Sequence, residues 1–209
     1  MSACPFHYSQ YRATSPELID RFIDAFPLAI LTSHAEGRFC SSHIPLLRQA
    51  DGSLFGHVDG GNPQFRGQDE VHCQIIFMGP SAYIPPEAYV SSQLPTWNYL
   101  AVHMQATVRV SENAHQNLEI LKQTAQRLAT SERSYHVDPA DPRVLKNLPH
   151  ILGLSIHPLC VEGRFKLSQD KTAPDALAAL NHLLSQGLDR HHDLLADLLT
   201  PAPLHPIEA

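Results

Sequence analysis

Residues 100–110, LAVHMQATVRV, place Leu100, Val102, Met104, Ala106, Val108 and Val110 at every second position, with His103, Gln105, Thr107 and Arg109 between them. Strict alternation with a period of two is the pattern of a strand that turns one face to a core and the other to polar surroundings. Further strand candidates are LAILTSH (28–34), RFCSSHIPLL (38–47), SLFGHV (53–58) and HCQIIFM (72–78). The turn signals AEG and ADG lie between the first three,. ILGLSIHPLCVEGRFKLS (151–168) reads as two strands around a turn, while GPSAYIPPEAYVSSQLPT is too rich in breakers for a regular element and is expected to pack over something,. Helical spacing occurs in ATSPELIDRFIDAFP, with Thr14 and Ser15 as candidate N-caps and Leu18, Phe22 and Phe26 on one side,. It recurs in ENAHQNLEILKQTAQRLATSE, with Leu118, Leu121, Ala125 and Leu128 on one face, and in DALAALNHLLSQGL and HHDLLADLL, separated near Gly187. At least six strands joined mostly by tight turns, with two to four helices, predict an antiparallel barrel with helices outside it. No βαβ rhythm, GxGxxG loop or Walker loop is present,.

A chain of 209 residues with 43% hydrophobic and 17% charged residues can bury a core without staples, and its low charge suggests a surface covered by a second subunit,. A net charge of -6 is the wrong sign for holding nucleic acid by a global field,. Cys4, Cys40, Cys73 and Cys160 have neither zinc nor disulfide-framework spacing, so no metal site is expected and buried reduced thiols are,. The opening MSACPFHYSQYR has no apolar signal core and no window reaches the length of a membrane span, which predicts a cytoplasmic protein,.

Three clusters carry candidate chemistry: GHVDGGNPQFR (56–66), FMGPSAYIPPEAYVSSQLPTWNY (77–99) and EGRFKLSQDK (162–171). Each joins permissive Gly or Pro to donors such as Arg66, Asn98, Lys166, Ser168 and Gln169. That inventory suits a flat, polar, phosphorylated ring: cations and hydroxyls for phosphate, amides for ring carbonyls, aromatics for stacking. Read singly, Arg66 and Lys166 also fit solvated or ion-paired cations, and the sole tryptophan, Trp97, fits a core or interface anchor,. His57 and His103 fit structural histidines as well as proton donors. No Ser/His/Asp order or paired-carboxylate pattern singles out a catalytic residue.

As a set, GHVDGGNPQFR, FMGPSAYIPPEAY, LPTWNYLAVHMQATVRV and EGRFKLSQDK resemble the PaiB-like family of FMN-binding negative transcriptional regulators, over about residues 8 to 190. The chain departs from the family pattern at Pro85, Ala88, Arg164 and Asp170. The resemblance implies a split β-barrel with flanking helices that forms a homodimer, with FMN in a groove at the subunit interface. It implies Lys166, Ser168 and Gln169 as polar ligands, Arg66 and His57 as phosphate contacts, and Thr96, Trp97 and Asn98 on the isoalloxazine side. The barrel domain is expected over residues 1–172, and a C-terminal helical extension packed on it over 173–209. The family name implies regulation, yet no basic recognition helix supports direct DNA binding. Two other functions are open to such a barrel: a flavin-dependent oxidoreductase using NAD(P)H, and a haem-binding or haem-degrading protein with the His191–His192 pair as an axial-ligand source,.

Overall fold

The structure, a computed structural model, describes residues 8–13, 15–129 and 135–186. The chain divides into two compact units, Met1–Gly79 with Tyr99–Lys166, and Pro80–Asn98 with Leu167–Ala209. Seven strands form one sheet: β1 (Leu28–Ala35), β2 (Arg38–Pro45), β3 (Leu47–Arg48), β4 (Leu54–Asp59), β5 (Glu70–Ile84), β6 (Thr96–Ser111) and β7 (Ile151–Lys166). Their order is β2-β1-β5-β6-β7-β4-β3, and β2 with β1, β1 with β5, β6 with β7, β7 with β4 and β4 with β3 pair antiparallel. Among the described residues four α-helices accompany them: α1 (Pro16–Ala25), α2 (Ala114–Arg127), α3 (Pro142–Asn147) and α4 (Ala173–Ser185).

In the first unit, the β1–β2 hairpin turns on Glu36 and Gly37, whose φ values of 50° and 75° give the two-residue turn that matches strand twist,. Helix α1 starts as read, with the Ser15 hydroxyl accepting from the Leu18 N–H at 3.2 Å and Pro16 in its first turn,. It buries Phe22 and Ile23 and leaves Leu18 exposed, because the inward stripe runs through Ile19 rather than Leu18. Arg48 of β3 holds the helix by ion pairs to Asp20 at 3.0 Å and Asp24 at 2.8 Å. The sheet curls until β4 meets the end of β2: a Cβ on Gly56 would lie 2.8 Å from the Pro45 carbonyl oxygen and 3.3 Å from Ile44, so only glycine permits this approach,. The core inside the curl comprises residues such as Leu31, Ile44, Leu54, Phe65, Ile75, Phe77, Met104, Val108 and Ile156.

Two strand expectations are corrected. The breaker-rich GPSAYI continues β5 to Ile84, so this strand has 15 residues. Residues 151–166 form one continuous strand rather than two around a turn. In its pairing with β6, Gln105 faces Cys160 and Ala106 faces Pro158, which leaves Leu159 as an extra residue,. Pro158 has no N–H to offer the ladder, and Leu159 is exposed,. The bulge changes the phase of the strand: Leu152, Leu154 and Ile156 face the core before it, Gly163 and Phe165 after it. Cys160, Glu162, Arg164 and Lys166 thereby join the face opposite the core. α3 had no counterpart in the sequence reading. α2 lies within the expected helical stretch and is capped by the Asn113 side chain, which accepts from the His115 and Gln116 N–H groups; its buried residue is Asn117.

The second unit consists of the end of β5, a 3-10 turn at Pro86–Ala88, the entry to β6, the turn after β7 and α4. The remainder of the expected 173–209 extension, HHDLLADLL included, lies outside the described residues.

Deleting Leu159 removes the extra residue and should leave Pro158 toward the core and Cys160, Glu162 and Arg164 on the opposite face, so a cooperative urea transition should be retained; its loss would contradict the reading of Leu159 as the bulged residue,. Leu159→Asn, which keeps the residue count, should shift stability by no more than about 0.5 kcal/mol in the same experiment.

Candidate functional site

The two strings singled out in the sequence, 99–103 and 162–166, are neighbours in register. Tyr99 pairs with Lys166, Ala101 with Arg164, His103 with Glu162, Gln105 with Cys160 and Thr107 with His157. Directly opposed residues of an antiparallel pair point the same way, so these ten side chains share the outer face of the first unit's sheet. β5 extends it: the His72 Nδ1 lies 3.4 Å from the Thr107 hydroxyl, and Arg109 Nε is 3.5 Å from Glu70. β1 and β2 add Thr32 and Ser41, whose hydroxyls are 2.8 Å apart, and the rings of His34 and Phe39, tilted against each other with centroids 4.7 Å apart. A groove of about 410 Å³ crosses this face, lined by Thr32, His34, Phe39, His72, Gln74, Gln105 and Leu159 among others.

Cations concentrate at one end of the face. Arg12 forms an isolated bridge with Arg164, and its guanidinium is 3.9 Å from Glu162. Arg164 Nε donates to Glu162 Oε1 at 3.1 Å, while its Nη2 is buried with no hydrogen-bond partner. The Lys166 ammonium lies over the Tyr11 ring, 5.8 Å from its centroid.

At the other end α2 covers the face. A Cβ on Gly153 would strike Asn117 and Ile120 of that helix, and the Arg127 guanidinium lies over the Phe55 ring. His57 pairs with Gly153 and therefore sits beside α2, where burial lowers its pKa and leaves a neutral imidazole at pH 7,. Arg66 lies elsewhere, in a cleft of about 880 Å³ lined by Asp59, Gly60, Gly61, Glu112, Leu148 and His150. It follows a turn in which Asp59 Oδ1 accepts from the Gly61 N–H at 2.7 Å.

The remaining expected residues belong to the second unit. Asn98 and Ser168 are both buried and bond each other: Asn98 Nδ2 donates to Ser168 Oγ at 3.0 Å, and the Ser168 hydroxyl lies 3.1 Å from Asn98 Oδ1. The Tyr89 hydroxyl, also 3.1 Å from Ser168 Oγ, completes the knot as a donor, since the single Ser168 proton serves Asn98,. Ser168 adopts a φ of 61°, a left-handed conformation held by these bonds,. Gln169 is exposed and accepts from the Leu167 N–H at 2.7 Å, Thr96 is half-buried, and Trp97 is 54% exposed with its ring 6.3 Å from that of Tyr83. The indole is thus no core anchor. Asp175 organises the loop ahead of Thr96, accepting from the Val90 and Ser91 N–H groups at 2.8 Å each and from the Ser91 hydroxyl at 2.6 Å. Of the cysteines, Cys40 is exposed on its edge strand, contrary to the expectation of burial; Cys73 is buried, which pushes its thiol up to about 11, and Cys160 is half-buried. Cys4 and the His191–His192 pair lie outside the described residues.

Residues 6–158 match the family model described as "Putative FMN-binding domain". The chain belongs to this FMN-binding domain family. Over 185 residues it is 26% identical to the protease synthase and sporulation protein PAI 2 of Bacillus subtilis, covering 84% of this chain and 87% of that protein. Its fold is similar to that of the FAD and haem binding protein of Mycobacterium smegmatis, with a TM-score of 0.61 at 18% identity over 81% of this chain and 80% of that one. It is likewise similar to the flavocytochrome Anf3 of Azotobacter vinelandii, with a TM-score of 0.58 at 15% identity over 81% and 73% of the two chains. The fold of this FMN-binding family member is the expected split barrel with flanking helices. FMN is the cofactor that family membership implies, and the outer face fits it. Neutral donors and acceptors suit the ring, cations suit the phosphate, and the idle Arg164 Nη2 is a donor awaiting an acceptor,.

Hydrogen bonds led by the Ser91 hydroxyl, then the Ser91 N–H, hold the Asp175 carboxyl well below the usual carboxylate range. A depressed folded-state pKa stabilises the fold above the unfolded value of about 3.9, and that stabilisation is lost as pH falls below it. Asp175→Asn should therefore be clearly less stable than the wild type in urea at pH 7, with the gap narrowing at about pH 3.

Proposed function

We propose that this chain works as a homodimer in the cytoplasm and holds FMN on the outer face of β6 and β7, in a groove that a second copy completes. The observation that carries the reading is the register of the two strands, which sets Tyr99, His103, Gln105 and Thr107 beside Lys166, Glu162, Cys160 and His157 on one polar face. A sheet face this polar, away from the core, offers a flavin more partners than packing requires. Lys166 contributes charge to the flavin phosphate. Thr96, Trp97, Asn98, Ser168 and Gln169 are proposed as further flavin contacts on the family motifs alone. Asn98 and Ser168, bonded to each other, would act by shaping the backbone more than by offering side chains. Arg66 and His57 are retained as phosphate contacts only from the family motifs. The barrel domain is taken as residues 1–172, with the helical extension following it. Among the described residues no helix is long and apolar enough to cross a membrane.

The regulatory role that the PaiB-like resemblance implies is best served indirectly, through the state of the flavin or a partner protein. A net charge of -6 is the wrong sign for holding DNA by a global field,.

Incubation with FMN followed by removal of excess should leave a flavin absorption spectrum on a species whose light-scattering mass is twice that of the chain. Lys166→Ala should weaken FMN binding by about ten- to a hundredfold, the range of a charge-assisted hydrogen bond. A wild-type protein that retains no flavin would contradict the proposal.

A further inference from the structure

We propose that Arg164 selects a phosphorylated flavin, receiving a phosphate oxygen on Nη2 and so setting the direction in which the ligand lies along β6 and β7. The inference rests on the reading of the outer face as the flavin surface. Arg164 is 8% exposed, so its guanidinium is almost wholly out of water. Glu162 engages Nε at 3.1 Å and turns the fork of the side chain, yet Nη2 meets no acceptor among the described residues. A buried guanidinium nitrogen without an acceptor is a strong, directional donor aimed at whatever enters beside it.

The surroundings define the charge of that ligand. Arg12 bridges Arg164 on one side, and Lys166 lies two residues along the same face, a separation of about 6.6 Å at strand rise,. Three cationic side chains, Arg12, Arg164 and Lys166, thus gather at this end of the face around the carboxylate of Glu162. A phosphate monoester carries about -1.5 to -2 at pH 7 and presents three strong acceptor oxygens. Ala101, opposite Arg164 on β6, contributes only a methyl group and no competing acceptor. Farther along the face the β6 side chains His103, Gln105 and Thr107 carry no fixed positive charge. The phosphate therefore belongs at the Arg164 end and the ring toward Gln105 and Thr107.

The test is a fluorescence titration of the full chain with FMN and with riboflavin, which differs from FMN in lacking the phosphate. The wild type should bind FMN at least about tenfold more tightly than riboflavin. Arg164→Gln should remove most of that preference by weakening FMN alone, and Arg164→Lys should restore part of it. If circular dichroism shows that Arg164→Gln does not fold, Arg12→Gln, at an exposed position of the same row, should lower the FMN-to-riboflavin ratio several-fold. Equal weakening of both ligands in Arg164→Gln, or an unchanged ratio, would overturn the proposal by making the residue structural or irrelevant. A wild type that binds riboflavin as tightly as FMN would overturn it while leaving the flavin surface intact, and one that binds neither would overturn both.

Discussion

The pairing of β6 with β7 is the constraint on which the rest depends. It runs from Tyr99 opposite Lys166 to Ser111 opposite Gly153, and a single extra residue, Leu159, interrupts it. Side chains alternate with a period of exactly two residues in a strand, so the extra residue exchanges inside for outside beyond it. Before the bulge the even-numbered residues of β7 build the core; after it they become the polar face. One insertion thus gives a single strand two tasks. It closes the barrel with Leu152, Leu154 and Ile156, and it arms the opposite surface with Glu162, Arg164 and Lys166.

That arrangement carries a cost elsewhere. Glu162 and Arg164 are largely removed from water, and their mutual ion pair recovers only part of the lost hydration,. A stability requirement alone would favour apolar residues on a covered sheet face. The presence of an ion pair with one nitrogen unanswered is more readily understood as binding machinery than as packing. The second unit shows the contrasting use of polar groups: Asp175 and the Asn98–Ser168–Tyr89 knot satisfy nearly every donor locally, and they fix backbone geometry around the PTWNY and KLSQ strings.

Much of the fold was legible in the residues, for identifiable reasons. The AEG turn, the Ser15 cap and the alternation of LAVHMQATVRV are local signals, and each maps to the expected element. The break assigned within 151–168 arose because a bulge and a turn look alike in a hydrophobic pattern: both change its phase, and only the partner strand distinguishes them. β5 was cut short for a related reason, since Gly79 and Pro80 are breakers only when no neighbouring strand carries the backbone through. Of the candidate site residues, Lys166 was found by motif and lies on the polar face, whereas Tyr99, His103, Gln105, Thr107 and Arg12 join it only through pairings between distant segments. Ser168 and Asn98 were recognised as a polar set, but a sequence does not reveal that two such side chains satisfy each other.

Flavin held on the outer face of β6 and β7, at its cationic end, would shield these strands from solvent exchange. Hydrogen–deuterium exchange of the purified chain with and without FMN tests that placement most directly. The account requires FMN-dependent protection in peptides covering residues 96–107 and 160–169. Protection confined to residues 59–66 and 148–152, around the cleft that holds Arg66, would contradict it.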